Sequence, residues 1–280
     1  MAGTSHGVLV GYDGSVSAQD ALAWAASEAQ ARREALTVCQ AWTPGYPALP
    51  DEVIAGERAR RYGERSLASG VLLAQTLWGT GDVRSLLLGG SAASVLCEQG
   101  AHASMVVVGS RGHSGLAGLL MGSVSLQVAA YASAPVVVVR GQWPRVPGQA
   151  PRPIVAGSDG STAAGAAVGY AFRAAALHHT WLLAVCALAD APGSLGGAHQ
   201  IRDDFDQQIG RWEKKYPEIA VHRQVTNGAA RPALLDAARE AQMLVLGSRG
   251  RGGVRGMALG SVSHALLHHA ACPVCIVHPQ

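Results

Sequence analysis

A single glycine-serine signature occurs twice in this chain at a fixed offset, and that repetition constrains the fold more than any other feature. Gly109-Ser110-Arg111-Gly112 is followed, after nine intervening residues, by Gly122-Ser123, and Gly247-Ser248-Arg249-Gly250 is followed, after nine intervening residues, by Gly260-Ser261. The copies lie 138 residues apart (247 − 109) in a chain of 280. The sequence therefore reads as one unit of about 140 residues duplicated in tandem, each half long enough to bury its own core. Each copy follows an apolar run of strand character (Met105 to Val108; Met243 to Leu246) and leads into a helix-like segment. That is the context of a phosphate-binding strand-loop-helix.

Around the signature, each half alternates short β-branched runs with alanine-rich helical stretches. In the first half, strands are predicted at Val8 to Asp13, Leu36 to Trp42, Val83 to Leu88, Met105 to Val108 and Pro135 to Val139. The helices between them are Ser17 to Arg33, capped by Ser15 or Ser17, one from about Asp51, Ser91 to Gln99, and Gly122 to Tyr131. The second half repeats the strands at Ile154 to Asp159, Trp181 to Leu188, Ala220 to Val225, Met243 to Leu246 and Val274 to Val277. Its helices fall near Ala163 to Leu177, His199 to Lys215, Pro232 to Glu240 and Ser261 to Ala270. This succession predicts an α/β fold of two tandem open, doubly wound parallel sheets, Rossmann-like, with strand order 3-2-1-4-5. A content of 49% hydrophobic and 15% charged residues suits strands buried on both faces.

The proline-rich stretch from Gln142 to Pro153 reads as a semi-rigid linker between domains at residues 1–141 and 153–280. The two fifth strands are short apolar edges, which favours their pairing across an internal pseudo-twofold, an intramolecular pseudo-dimer. A homodimer of tandem chains and a downstream protein partner are compatible with the same reading.

The small net charge of +3 is spread along the chain with no Lys/Arg block, which argues against nucleic-acid or anionic-membrane partners. No apolar stretch approaches the ~18 residues of a membrane span, and Met1 to Val10 lacks a signal-peptide pattern, so a soluble cytoplasmic protein is expected. Five scattered cysteines suggest reduced thiols. Cys272-Pro273-Val274-Cys275 enters a strand rather than opening a helix, and the first copy has Ala134 and Val137 in those places, so packing accounts for the pair. His264 and His268 are one helical turn apart with no third ligand in view, and no metal is assigned. There is no Gly-Lys-Ser/Thr P-loop, the only lysines being Lys214 and Lys215, and no His-x-Gly-His or Ser-His-Asp pattern. Binding equipment is duplicated and no catalytic residue is assigned.

Gly109 and Gly247 end strands at the edge where parallel sheets bind ligands, and glycine there permits positive φ and close approach of backbone N–H groups. The loop that follows holds Gly115 and Gly118, or Gly253 and Gly256, and a bound polyphosphate would order it. Gly122-Ser123 and Gly260-Ser261 then open a helix, offering free N–H groups, a positive dipole end and a hydroxyl, with Ser125 and Ser263 as second hydroxyls. Arg111 and Arg249 serve either phosphate or solvent. Asp13 and Asp159 sit at the ends of the first strands, facing the glycine loop across the switch point. Each is either a turn-capping residue or a ligand contact, and their matched placement favours the second.

Gly-x2-Gly-x9-Gly-Ser, with an Asp-Gly-Ser turn after the first strand and a Pro-Val-Val strand at the end, resembles the universal stress protein family in its tandem, ATP-binding form. The resemblance implies an ATP-binding regulator or sensor in stress, with ATP as cofactor, alone or with magnesium. It implies that ATP is cradled by Gly109, Ser110, Arg111, Gly112, His113, Ser114 and Gly115 with Gly122, Ser123 and Val124. The second cradle is Gly247, Ser248, Arg249, Gly250, Arg251, Gly252 and Gly253 with Gly260, Ser261 and Val262. The adenosine end is implied at Gly11, Asp13 and Ala41, and at Gly157, Asp159 and Ala187. Where the family often carries His before the strand-two position, this chain has Gln40 and Cys186. An ATP-dependent nucleotidyl- or phosphotransferase, and an interaction module with vestigial pockets, are the alternative functions.

Overall fold

The computed structural model describes residues 5–43, 50–112, 121–140, 151–188, 195–251 and 258–279. The chain divides into two compact units, Met1–Val139 and Arg140–Gln280. The linker expectation at residues 141–150 lies outside the described residues.

In the first unit, β1 (Val8–Gly11) pairs in parallel with β2 (Leu36–Trp42) and β4 (Met105–Gly109), β2 with β3 (Val83–Gly89), and β4 with β5 (Val136–Val139). The second unit repeats the order: β6 (Ile154–Gly157) pairs with β7 (Leu182–Ala187) and β9 (Met243–Gly247), β7 with β8 (Val221–Thr226), and β9 with β10 (Val274–Val277). Each is the expected 3-2-1-4-5 sheet. The helices are α1 (Val16–Arg32), α2 (Pro50–Trp78), α3 (Ala92–Gly100) and α4 (Ser123–Tyr131), then α5 (Thr162–Leu177), α6 (Leu195–Glu213), α7 (Ala230–Ala237) and α8 (Ser261–His269). Right-handed crossovers place the first two helices of a unit on one face of its sheet and the last two on the other, because the strand order reverses direction at the first strand. Accordingly α1 packs on α2 and α3 on α4, while α5 packs on α6 and α7 on α8. The reversal leaves a crevice at the carboxyl ends of β1 and β4, and of β6 and β9.

Strand pairing also fixes how the halves correspond. Leu36 pairs with Val83 and Leu182 with Val221, so the offset is 146 residues at β2 and β7 (182 − 36) and 138 at β3 and β8 (221 − 83), and 138 already holds in α2 and α6, where Gly70 lies against Tyr12 as Gln208 lies against Ser158. The second unit is shorter by the difference, between its second and third strands. With that register, the cores are seen to trade volume. Gly169 has no Cβ because one would overlap the Trp212 ring, which stacks on Phe172 with centroids 6.3 Å apart. The corresponding first-unit residues are Ala23 and Ala74, a methyl gained on one helix and an indole lost from the other.

A candidate nucleotide site in each unit

Each unit carries a cavity at its sheet's switch point, of about 340 Å³ in the first and about 380 Å³ in the second. Their shape begins with the turn after the first strand. Asp13 Oδ1 accepts the Ser15 N–H at 3.0 Å, and Ser15 Oγ accepts the Ala18 N–H at 3.2 Å, capping α1. In the second unit Asp159 Oδ1 accepts the Ser161 N–H at 3.0 Å and Ser161 Oγ accepts the Ala164 N–H at 3.2 Å. Gly14 (φ 85°) and Gly160 (φ 75°) supply the left-handed residue between them. The capping role is therefore real, and it consumes only one carboxylate oxygen. Oδ2 of Asp159 accepts the Arg251 N–H at 2.7 Å, and a Cβ on Gly112 would sit 2.7 Å from Oδ2 of Asp13. Both carboxylates face the glycine loop, and both line their cavity.

The glycines of the signature divide into two kinds. Gly109 and Gly247 have no positive φ, contrary to the sequence expectation. They are glycine because the sheet meets a helix there: a Cβ on Gly109 would lie 2.6 Å from the Ser17 carbonyl carbon, and one on Gly247 2.7 Å from that of Ala163. Gly122 and Gly260 are different. They cap α4 and α8 with φ of −78° and −73°, and the nearest heavy atoms to an added Cβ would be 3.6 and 3.5 Å away. Among the described residues neither conformation nor packing requires glycine at either place. As caps they provide no side-chain acceptor, in contrast to Ser15, Ser91 and Ser161. Among the described residues no side chain caps the first turns of α4 and α8, and the residues of those turns line the cavity wall.

One pair of hydroxyls at the cavity wall is engaged by the fold. Ser125 Oγ donates to the Gly109 carbonyl at 2.6 Å and Ser263 Oγ to that of Gly247 at 2.8 Å, tying helix to strand. Ser110 Oγ lies 3.4 Å from Ser17 Oγ, and Ser248 Oγ is buried with no hydrogen bond among the described residues; neither serine lines its cavity. Gly11, Ala41, Arg111, Ser123 and Val124 do line the first cavity, and Gly157, Ala187, Arg249, Arg251, Ser261 and Val262 the second. His113, Ser114, Gly115, Gly252 and Gly253 lie outside the described residues.

Sequence reasoning missed the apolar wall. Leu96, Val108 and Met121 line the first cavity, and Leu234, Leu246 and Leu259 the second. Each pair is separated by the same 138 residues as the signature (234 − 96), so the repeat itself carried the signal. The adenosine end differs between units. Gln40 lines the first cavity, its Nε2 donating to the Ala41 carbonyl at 3.2 Å and its Oε1 accepting from Ser66 Oγ at 3.3 Å. In the second unit Cys186 is not in the wall, and Ile201 of α6 is.

None of the five cysteines forms a disulfide. Burial pushes the Cys39 and Cys272 thiols up to about 12 and Cys186 up to about 11. The His264 and His268 rings are 4.7 Å apart, and desolvation followed by the neighbouring His264 lowers the His268 pKa. Among the described residues no group of three metal-ligating side chains is present. No helix among them is long and apolar enough to cross a membrane.

Comparison with known proteins agrees with this architecture. The family model for the universal stress protein family matches residues 5–140 and again residues 151–278. A universal stress protein of Mycobacterium tuberculosis strain H37Rv is 34% identical over 284 residues, spanning 97% of this chain and 96% of the relative. One from Mycolicibacterium smegmatis is 32% identical over 294 residues, spanning 100% and 99%. The crystal structure of a universal stress protein from Archaeoglobus fulgidus shares the fold, with a TM-score of 0.74 at 20% identity over 99% of this chain and 100% of that one. On the strength of two complete family matches and full-length relatives, this chain belongs to the universal stress protein family.

Proposed function

We propose that each unit binds one nucleotide, ATP, and that the chain acts as a nucleotide-dependent regulator or sensor in stress. The observation that carries this reading is the pair of cap glycines. Gly122 and Gly260 have ordinary φ and room for a Cβ, so the absence of a side chain there serves an approaching ligand rather than the fold. What they leave open is a helix N-terminus of uncapped N–H groups, which suits a phosphate.

The rest of each cavity fits the remainder of the ligand. A volume of about 340 to 380 Å³ falls within the range of small-molecule sites, roughly 300–1,000 Å³. Leu96, Val108 and Met121, with their counterparts Leu234, Leu246 and Leu259, give an aromatic base a dry slot. The Asp13 and Asp159 turns and the backbone at Ala41 and Ala187 bring polar groups to the wall, and Arg111 and Arg249 beside the cap glycines supply positive charge. The placement in stress physiology rests on family membership.

Thermal unfolding with and without ATP tests the reading. Ligand at 100 times its dissociation constant stabilises a site's unit by about 2.7 kcal/mol, a visible rise in melting temperature. Absence of both calorimetric heat and stabilisation at millimolar ATP would defeat it.

A further inference from the structure

The two sites differ in one charged device. In the second unit the Arg251 guanidinium is held at two points: Nε donates to the Asp159 carbonyl at 2.6 Å, and Nη2 pairs with Oδ2 of Asp204 on α6. Its backbone N–H is held as well, by Asp159 Oδ2 at 2.7 Å. Asp204 is itself steadied by Gln200, whose Nε2 donates to Oδ1 at 2.9 Å. Gly160 lies beneath the pair, since a Cβ there would be 2.8 Å from Arg251 Nη2 and 2.7 Å from Asp204 Cβ. A guanidinium has five N–H donors, and these two anchors use two of them. Among the described residues the Nη1 donors have no protein partner, and Arg251 lines the cavity next to Gly250.

The first unit lacks the chemistry of this device. At the 138-residue offset, Arg251 corresponds to His113 and Asp204 to Ser66, and Ser66 is spent on Gln40. Both members of the ion pair differ together.

We propose that Arg251, oriented by Asp204, reads phosphate charge and makes the second site more selective for a nucleoside triphosphate over a monophosphate than the first. This rests on the nucleotide reading above. An arginine anchored through Nε and one Nη2 proton keeps its remaining N–H fork in a fixed direction, so little rotamer freedom is lost when an anion arrives. Asp204 is a positioning residue: it acts through Arg251.

The test uses the full chain, with one site silenced by Gly122→Leu or Gly260→Leu, and calorimetric titration with ATP and with AMP at pH 8 and low salt. The ATP-to-AMP affinity ratio is expected to be roughly tenfold or more greater for the second site, the value of a charge-assisted hydrogen bond. Arg251→His should bring it to the first site's ratio, Asp204→Ser should lower it part of the way, and the double variant should lose no more than Arg251→His alone. Equal ratios for the two sites, or an Asp204→Ser variant that weakens ATP and AMP alike, would overturn the inference. If the unmutated chain binds neither nucleotide, the reading beneath it falls too.

Discussion

Replacing a cap glycine by alanine separates a glycine kept for the ligand from a glycine kept for the fold. In Gly122→Ala and Gly260→Ala the new methyl would meet its nearest heavy atoms at 3.6 and 3.5 Å, ordinary contact distances. Alanine is a poorer cap than glycine by less than about 1 kcal/mol. Restriction of the unfolded chain returns about 0.4–1 kcal/mol. Stability should therefore change by no more than about 1 kcal/mol, or about 4 °C in melting temperature. The same methyl would crowd a phosphate oxygen at the first-turn N–H groups. Loss of one charge-assisted hydrogen bond, about 1.5–3 kcal/mol, would weaken ATP binding by roughly tenfold to a hundredfold. Gly109→Ala and Gly247→Ala should behave in the opposite sense, because their Cβ atoms meet helix backbone at 2.6 and 2.7 Å and backbone cannot step aside. Overpacking of this kind costs about 1–3 kcal/mol. Thermal unfolding without ligand and titration calorimetry with ATP, run on all four variants, make the comparison. A cap variant that keeps full affinity, or that unfolds as early as Gly109→Ala, would refute the argument.

Three further outcomes are expected. Ser125→Ala and Ser263→Ala each strand a carbonyl that the hydroxyl satisfies at 2.6 and 2.8 Å, so denaturant titration should show a loss of about 1–3 kcal/mol. Gly169→Ala should destabilise the second unit through its clash with Trp212, and adding Trp212→Ala should recover part of the loss by recreating the Ala23 and Ala74 arrangement of the first unit, as a double-mutant cycle of unfolding free energies would read. Burial raises the Cys39 and Cys272 thiols from 9.0 to about 12, so the folded state holds protons that the unfolded chain releases. Stability from these groups is intact below pH 9 and declines as pH rises toward 12; stability measured across that range should fall less steeply in Cys272→Ala.

Much of the fold was legible because its signals are local and repeated. Runs such as Met105 to Val108, short, β-branched and without a polar face, read as buried parallel strands, and Ser15 announces its helix as a cap. The signature led to the end of each sheet where the cavity lies. What glycine does at each place was not legible, because it depends on what lies across the gap: Ser17 backbone too close for a Cβ opposite Gly109, and atoms at ordinary contact distance opposite Gly122. The bonds of Ser125 and Ser263 to the strand carbonyls were not legible for the same reason, since a hydroxyl one turn into a helix can face ligand or strand. Asp204 was invisible to motif reasoning. It sits in α6, distant in sequence from the loop it holds, and only the folded register places it against Arg251.

The central claim is that both units hold a nucleotide, and the number bound per chain tests it most directly. Native mass spectrometry of the full chain titrated with ATP reports that number and the ligand's mass together. Two ATP per chain, falling to one in Gly122→Leu or in Gly260→Leu and to none when both are combined, is the predicted result. An unmutated chain that stays free of nucleotide at saturating ATP, or a double variant that still binds two, would contradict it.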